Sequence, residues 1–117
     1  MRHRVKSNRV NRNYAHLSMM LRNLATSVVL YEKVKTTQAK SKLLKPFIEK
    51  LIVDAQEASI VTNYRNLNSV LLDKNASKKL IEELVTRYKD KKAGFVRVTK
   101  LGFRAGDSAP MVQVELV

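Results

Sequence analysis

The feature that most restricts the fold is the way the apolar residues change period along the chain. From Tyr14 they keep helical steps through Leu17, Met20, Leu21, Leu24, Val28 and Tyr31, one stripe along an amphipathic helix that Asn13 is placed to cap. Lys33-Val-Lys-Thr-Thr37 then alternates and is β-branched, which reads as a strand with Val34 inward and Lys33 and Lys35 outward. Thr37 is suited to cap a second helix striped by Leu44, Phe47, Ile48, Leu51, Ile52 and Ala55. Pro46 lies inside that stripe and lacks a backbone donor, so it either kinks the helix or marks its start. Ile60, Val61, Tyr64, Leu67 and Leu71 define a third helix, and Leu80, Ile81, Leu84, Val85 and Tyr88 a fourth. Asp73 or Asn75 separates the two, and Gly94 stops the fourth after Lys89, Lys91 and Lys92, cations that suit a helix C-terminus.

Period two returns in Phe95–Leu101 and Met111–Val117, with a turn over Gly102–Ala109 in which Gly102 and Gly106 take positive φ. In the last strand Val112, Val114 and Leu116 share the packed face while Gln113 and Glu115 share the wet one. The order is therefore α-β-α-α-α-β-β, an α+β chain. With 117 residues it has material for a single core, expected over residues 14–117.

Residues 1–13 do not belong to that core. They carry five Arg/Lys and three Asn, and only Val5 and Val10 beside the first Met are apolar, too little to fold alone. The formal charge of +13 is concentrated here: residues 1–46 hold eleven Lys/Arg and one acid, Glu32, whereas residues 47–93 hold nine against seven. A block this lopsided reads as a contact surface for a polyanion. Arg pairs bidentately with phosphate oxygens, which makes Arg2, Arg4, Lys6, Arg9 and Arg12 the first contact candidates. His3 can stack on or hydrogen-bond a nucleotide. Arg22 and Asn23 fall off the first apolar stripe and are free to face a partner. Lys40, Lys42 and Lys45 crowd the start of the second helix against its dipole, an arrangement a nearby phosphate would favour.

Other chemistries find little support. There is no Cys, so thiolate nucleophiles, disulfides and cysteine metal sites are excluded, and the absence fits a reducing compartment. The longest apolar run, Val28–Tyr31, is far below a membrane span or a signal core. His16 has no acid within fifteen residues, and neither it nor His3 has ligand company at metal spacing. Asp54 with Glu57, and Glu82 with Glu83, read as solvated helix charges. Gly102-Phe-Arg-Ala-Gly-Asp107 lacks the Lys-Ser/Thr ending of a phosphate loop and lies between strands. No cofactor, metal or catalytic residue is expected, and Arg104 at the hairpin tip is the loop residue that reads as functional.

Three segments resemble one family over nearly the whole chain: Met1-Arg-His-Arg4 with Asn11-Arg12; Val34-Lys-Thr-Thr-Gln-Ala-Lys40 with Lys42 and Glu49; and Gly102-Phe-Arg-Ala-Gly-Asp-Ser-Ala-Pro-Met111 with Val114-Glu-Leu116. The last is the most specific and departs from the usual pattern only at Ser108. Together they resemble the bacterial large-subunit ribosomal protein seventeen family. Ser41, Val53 and Gln56 depart from its signature, so no RNA contact is assigned to Val53 or Gln56. The resemblance implies a two-layer domain with a small three-stranded sheet packed against helices, and a structural role in the large subunit. It also implies contacts to large-subunit ribosomal RNA and neighbouring ribosomal proteins on the outer, tunnel-exit side.

The candidate RNA-binding set is completed by Asn11, Lys35, Thr36, Arg97 and Lys100. Arg97 and Lys100 fall on opposite faces of their strand, so one flat surface cannot use both. A cytoplasmic ribosome is the expected location, with an organelle matrix as the variant; the acid-free opening resembles a transit peptide, but Arg4–Arg12 has no apolar helical face. An architectural DNA-binding protein is the alternative reading, and a small RNA-modifying enzyme is disfavoured by the missing acid–base constellation.

Overall fold

A computed structural model describes residue 3, residues 10–57 and residues 59–117. Arg2, Arg4, Lys6 and Arg9 lie outside the described residues. Asn13 opens the first helix as its spacing predicts: with extended dihedrals, its side-chain oxygen accepts the His16 N–H at 2.9 Å. Such a cap is worth about 1 kcal/mol. Helix α1 (Tyr14–Tyr31) buries Ala25, Thr26, Val28 and Val29. Tyr31, expected on the stripe, is 73% exposed. It sits in the final turn, where Glu32 takes a left-handed φ of 62° and leads the chain away from the core.

Strand β1 (Lys33–Thr37) follows at once and runs directly into α2 (Gln38–Glu57). Pro46 does not mark the start of α2, which begins eight residues earlier and continues through it. Five of the six predicted stripe residues, Leu44, Ile48, Leu51, Ile52 and Ala55, are buried, with Phe47 packed at the margin. This helix is the hub of the core, touching α1, all three strands, α3 and the helical segment beyond it.

Helix α3 (Ile60–Val70) is capped by Ser59, whose Oγ accepts the Thr62 N–H. Its inward row is Asn63, Leu67 and Leu71, spaced by four. The expectation that Ile60 and Val61 face inward fails, since both are more than 60% exposed. Val61 falls off that row and Ile60 belongs to the turn ahead of it. Asn63 tolerates its burial because Nδ2 donates to the Ala55 carbonyl at 2.7 Å.

Asp73 caps the next segment through the Asn75 N–H at 2.8 Å. Helix α4 (Lys74–Lys79), a π-helical turn (Leu80–Leu84) and α5 (Val85–Arg87) run on as one rod, with right-handed helical dihedrals at both junctions. The rod ends at Arg87, not at Gly94. Lys89, Lys91 and Lys92 thus lie beyond it, and Gly94, at φ 75°, shapes the entry to the sheet. Phe95, fully buried, packs against Tyr88 with ring centroids 5.1 Å apart and the planes tilted by 56°, and the Tyr88 hydroxyl donates to the Val117 carbonyl.

Strands β2 (Val96–Phe103) and β3 (Pro110–Leu116) form the hairpin, and β1 joins its other side, giving the antiparallel order β1-β3-β2. The expected α-β-α-α-α-β-β order and helix-on-sheet layering are both present, with the rod counted as one helix. Val34, Val114 and Val98 form one inward row, Thr36, Val112 and Lys100 the next; Lys33, Glu115 and Arg97 line the outer face. A bulge at Leu101 separates Lys100 from Gly102, which sits at φ 117°. The second left-handed residue of the turn is Ser108, at φ 55°, and not Gly106. Asp107 explains the shift: its Oδ1 accepts the Ala109 N–H, closing the turn around Ser108. No helix among the described residues is long and apolar enough to cross a membrane.

Candidate nucleic-acid interface

The first turns of α2 organise the cationic surface of the folded part. They carry Lys40, Lys42 and Lys45 with no acid in the first turn, so the lysines reinforce the positive end of the helix dipole. Each flank of this segment borders a depression. On one side Lys40 meets His16, Met19, Met20, Asn23 and Leu24 of α1 around about 350 Å³. On the other, Gln38, Lys42, Lys45 and Pro46 face Val98, Lys100 and Val112 across about 390 Å³. Among the described residues no Asp or Glu lines either one.

Two members of this surface carry no individual RNA contact in the sequence reading: His16, and Lys45, noted there only among the lysines that crowd the start of the second helix. His16 shares a depression with Asn23 and Lys40, and its spacing to Met20 and Asn23 is helical. Lys45 stands beside Lys42 and Lys100. The signal for it was in the sequence, because Gln38, Lys42 and Lys45 recur at steps of four and three.

The single acid of the first 46 residues is turned away from this surface into the scaffold. Glu32 is forked by Arg87 at 2.9 and 3.1 Å and paired with Lys79 at 3.0 Å. The Arg87 guanidinium, and after it Lys79, hold the Glu32 carboxyl down at about 2. Arg87 is raised in turn by the same bond.

The remaining candidates divide by location. Asn11, Arg12 and His3 are exposed, as are Asn23, Lys35, Lys42, Arg97 and Lys100, while Lys40 is half-buried. Lys35 lies on the outer face of the sheet with Arg97, which contacts Glu115 at 3.4 Å. Lys100 projects from the helix-facing side, so the expected split between Arg97 and Lys100 holds. Arg104 is exposed at the hairpin tip but clasps Asp107 at 3.0 and 2.7 Å. That clasp, together with the Ala109 N–H, pulls the Asp107 carboxyl down to about 2.

Two candidates have internal partners. Arg22 donates from Nε to the Val70 carbonyl at 2.6 Å and from Nη2 to the Ser69 carbonyl at 2.8 Å, satisfying the end of α3. Thr36 is 6% exposed, on the inner row opposite Val112. Strand alternation already assigns it that face, since Val34 was read as inward. Gln56, given no RNA contact on sequence grounds, donates to the Tyr88 carbonyl at 2.8 Å. Among the described residues no cluster of His, Asp and Glu could hold a metal.

Fold and surface together define a small basic α+β scaffold protein. A family model, Ribosomal protein L17, matches residues 20–117. Large ribosomal subunit protein bL17 of Rickettsia bellii is 43% identical over all 117 residues, covering 82% of that protein. The bL17 of Rickettsia africae is 44% identical and covered to 85%, and that of Neorickettsia sennetsu 41% identical and covered throughout. The chain belongs to the ribosomal protein L17 family. Its role is structural and non-enzymatic, within the large subunit of the ribosome.

Proposed function

We propose that the chain binds and stabilises folded large-subunit ribosomal RNA through a basic arm, residues 1–13, and the adjoining surface of α1 and the start of α2. Arg2, Arg4, Lys6, Arg9 and Arg12 neutralise phosphates and release counterions, while His3, Asn11 and Asn23 supply directional hydrogen bonds. Lys40 and Lys42 extend the contact onto the globular domain, residues 14–117. Lys35, Arg97 and Arg104 reach separate RNA segments or neighbouring ribosomal proteins. Arg22 remains on the Ser69 and Val70 carbonyls, and Thr36 stays buried on the inner row of the sheet. A-form RNA hides its major-groove edges, so recognition works through backbone shape and unpaired bases. The assembled particle is cytoplasmic, or lies in an organelle matrix for an organellar chain.

The observation that carries this reading is the acid-free surface itself: eleven cations precede residue 47, and their one counter-acid is spent on Arg87 and Lys79. Ultraviolet cross-linking of the full chain to large-subunit ribosomal RNA, read by mass spectrometry, tests it. Adducts should concentrate before residue 46. Equal cross-linking to a DNA duplex of the same length would favour the architectural DNA reading instead.

A further inference from the structure

The depression between α2 and β2 is one end of a longer trough. A second hollow of about 310 Å³ shares Gln38, Lys100 and Val112 with it and continues past Gly102 to Phe103, Pro110 and Met111. Its lining is apolar at Pro46, Val98 and Val112 and polar at Gln38 and Ser41, and cations come from both sides: Lys42 and Lys45 from the helix, Lys100 from the strand. Among the described residues no carboxylate lines either hollow.

The strand bordering this trough is exposed in an unusual way. β2 is the last strand of the sheet, and Val98, Leu101 and Phe103 are 36%, 46% and 78% exposed along it. An apolar edge strand left bare invites aggregation, so chains that keep one normally cover it in their working assembly. Leu101 is the bulge residue, and the bulge re-aims the end of the strand beyond it.

We infer that this trough receives an unpaired nucleotide segment of large-subunit RNA, its base resting on the Pro46–Val98 floor or against Phe103 and its flanking phosphates on Lys42, Lys45 and Lys100. The inference rests on the RNA-binding reading above and adds to it a site on the folded domain. A nucleotide is an apolar-faced plate between anions, and the trough is the complement: an apolar strip between cations contributed by two elements. Each hollow is at the small end of the range for ligand clefts, too small to admit a duplex. A recessed apolar floor suits a splayed-out base, and an exposed aromatic at its end is the usual stacking platform. An acidic peptide would satisfy the lysines but has no need of the flat apolar strip between them.

Two variants of the full chain test this with thiouridine-substituted large-subunit ribosomal RNA. Lys42→Gln/Lys45→Gln/Lys100→Gln changes three exposed residues, so the fold, checked by circular dichroism, should be kept. Its slope of log affinity against log salt should shrink by about 2 to 3 in magnitude, one phosphate per lysine. Phe103→Ala should leave that slope unchanged yet weaken binding at least about fivefold through lost stacking. Photo-adducts should appear on peptides containing Pro46 or Val98–Phe103. If the wild-type chain binds with a steep salt slope but both variants match it and no adduct falls on peptides containing Pro46 or Val98–Phe103, the trough inference is overturned while adducts from the arm keep the RNA-binding reading. If the wild-type chain does not bind at all, both fall. Carbodiimide cross-links from these lysines to a neighbouring protein's carboxylates in intact subunits would mean a protein fills the trough, which also overturns the inference.

Discussion

Glu32 and Arg87, 55 residues apart in sequence, meet in a two-bond fork of 2.9 and 3.1 Å that ties the end of α1 to the end of the last helix. Lys79 completes the cluster and also donates to the Leu30 carbonyl at 3.0 Å, so one side chain serves the carboxylate and a carbonyl in the last turn of α1. The Arg87 and Glu32 side chains are 42% and 33% exposed, which limits the pair to the upper end of surface values, about 1 kcal/mol. Glu32→Gln should therefore lower the unfolding free energy in urea by roughly that amount.

The same pair sets an acid limit. The Glu32 carboxyl is held down from 4.5 to about 2 by Arg87 and then Lys79. A depressed folded value means the contribution is complete above about 4.5 and is lost as pH falls toward about 2. Urea midpoints of wild type and Glu32→Gln should differ at pH 6 and converge by pH 2. A constant difference across that range would remove the pair from the account of acid stability.

Arg22 is a structural cap. Its fork on the Ser69 and Val70 carbonyls is matched beside it by Thr26, whose Oγ1 donates to the Arg22 carbonyl at 2.7 Å and accepts the Leu72 N–H at 3.2 Å. Lysine keeps the charge but cannot reproduce the fork. Arg22→Lys should cost about 1 to 2 kcal/mol and speed hydrogen exchange at the end of α3, with the salt dependence of RNA binding unchanged.

The hairpin turn separates backbone strain from contact. Among the described residues nothing lies within 4 Å of a methyl group added at Gly102, so the penalty there is conformational. At φ 117° a side chain is strained, and Gly102→Ala should cost about 1 to 3 kcal/mol. Ser108 already bears a strain of this kind at φ 55°. Ser108→Gly should leave thermal stability level or raise it by up to about 1 kcal/mol.

Much of this architecture was legible because period and burial agree. The α2 stripe and the Val112/Val114 face needed only spacing, and the Asn13 cap needed only its residue type. What failed depended on partners distant in sequence. Arg22 lies off the apolar stripe whether it faces RNA or the end of α3, and only the approach of Ser69 and Val70 decides. Gly106 carried the expected residue type for a left-handed turn, but Asp107 moved that conformation to Ser108. Gly94 looked like a helix stop because its role in entering β2 has the same local signature. The trough was hidden for a related reason, since Lys42 and Lys100 are neighbours only once the sheet closes.

The most direct measurement is the salt dependence of binding between the full chain and large-subunit ribosomal RNA. If the basic arm and the lysines at the start of α2 together neutralise roughly 6 to 8 phosphates, log affinity should fall with log salt at a slope of about −4 to −7. A slope near zero would contradict the electrostatic account.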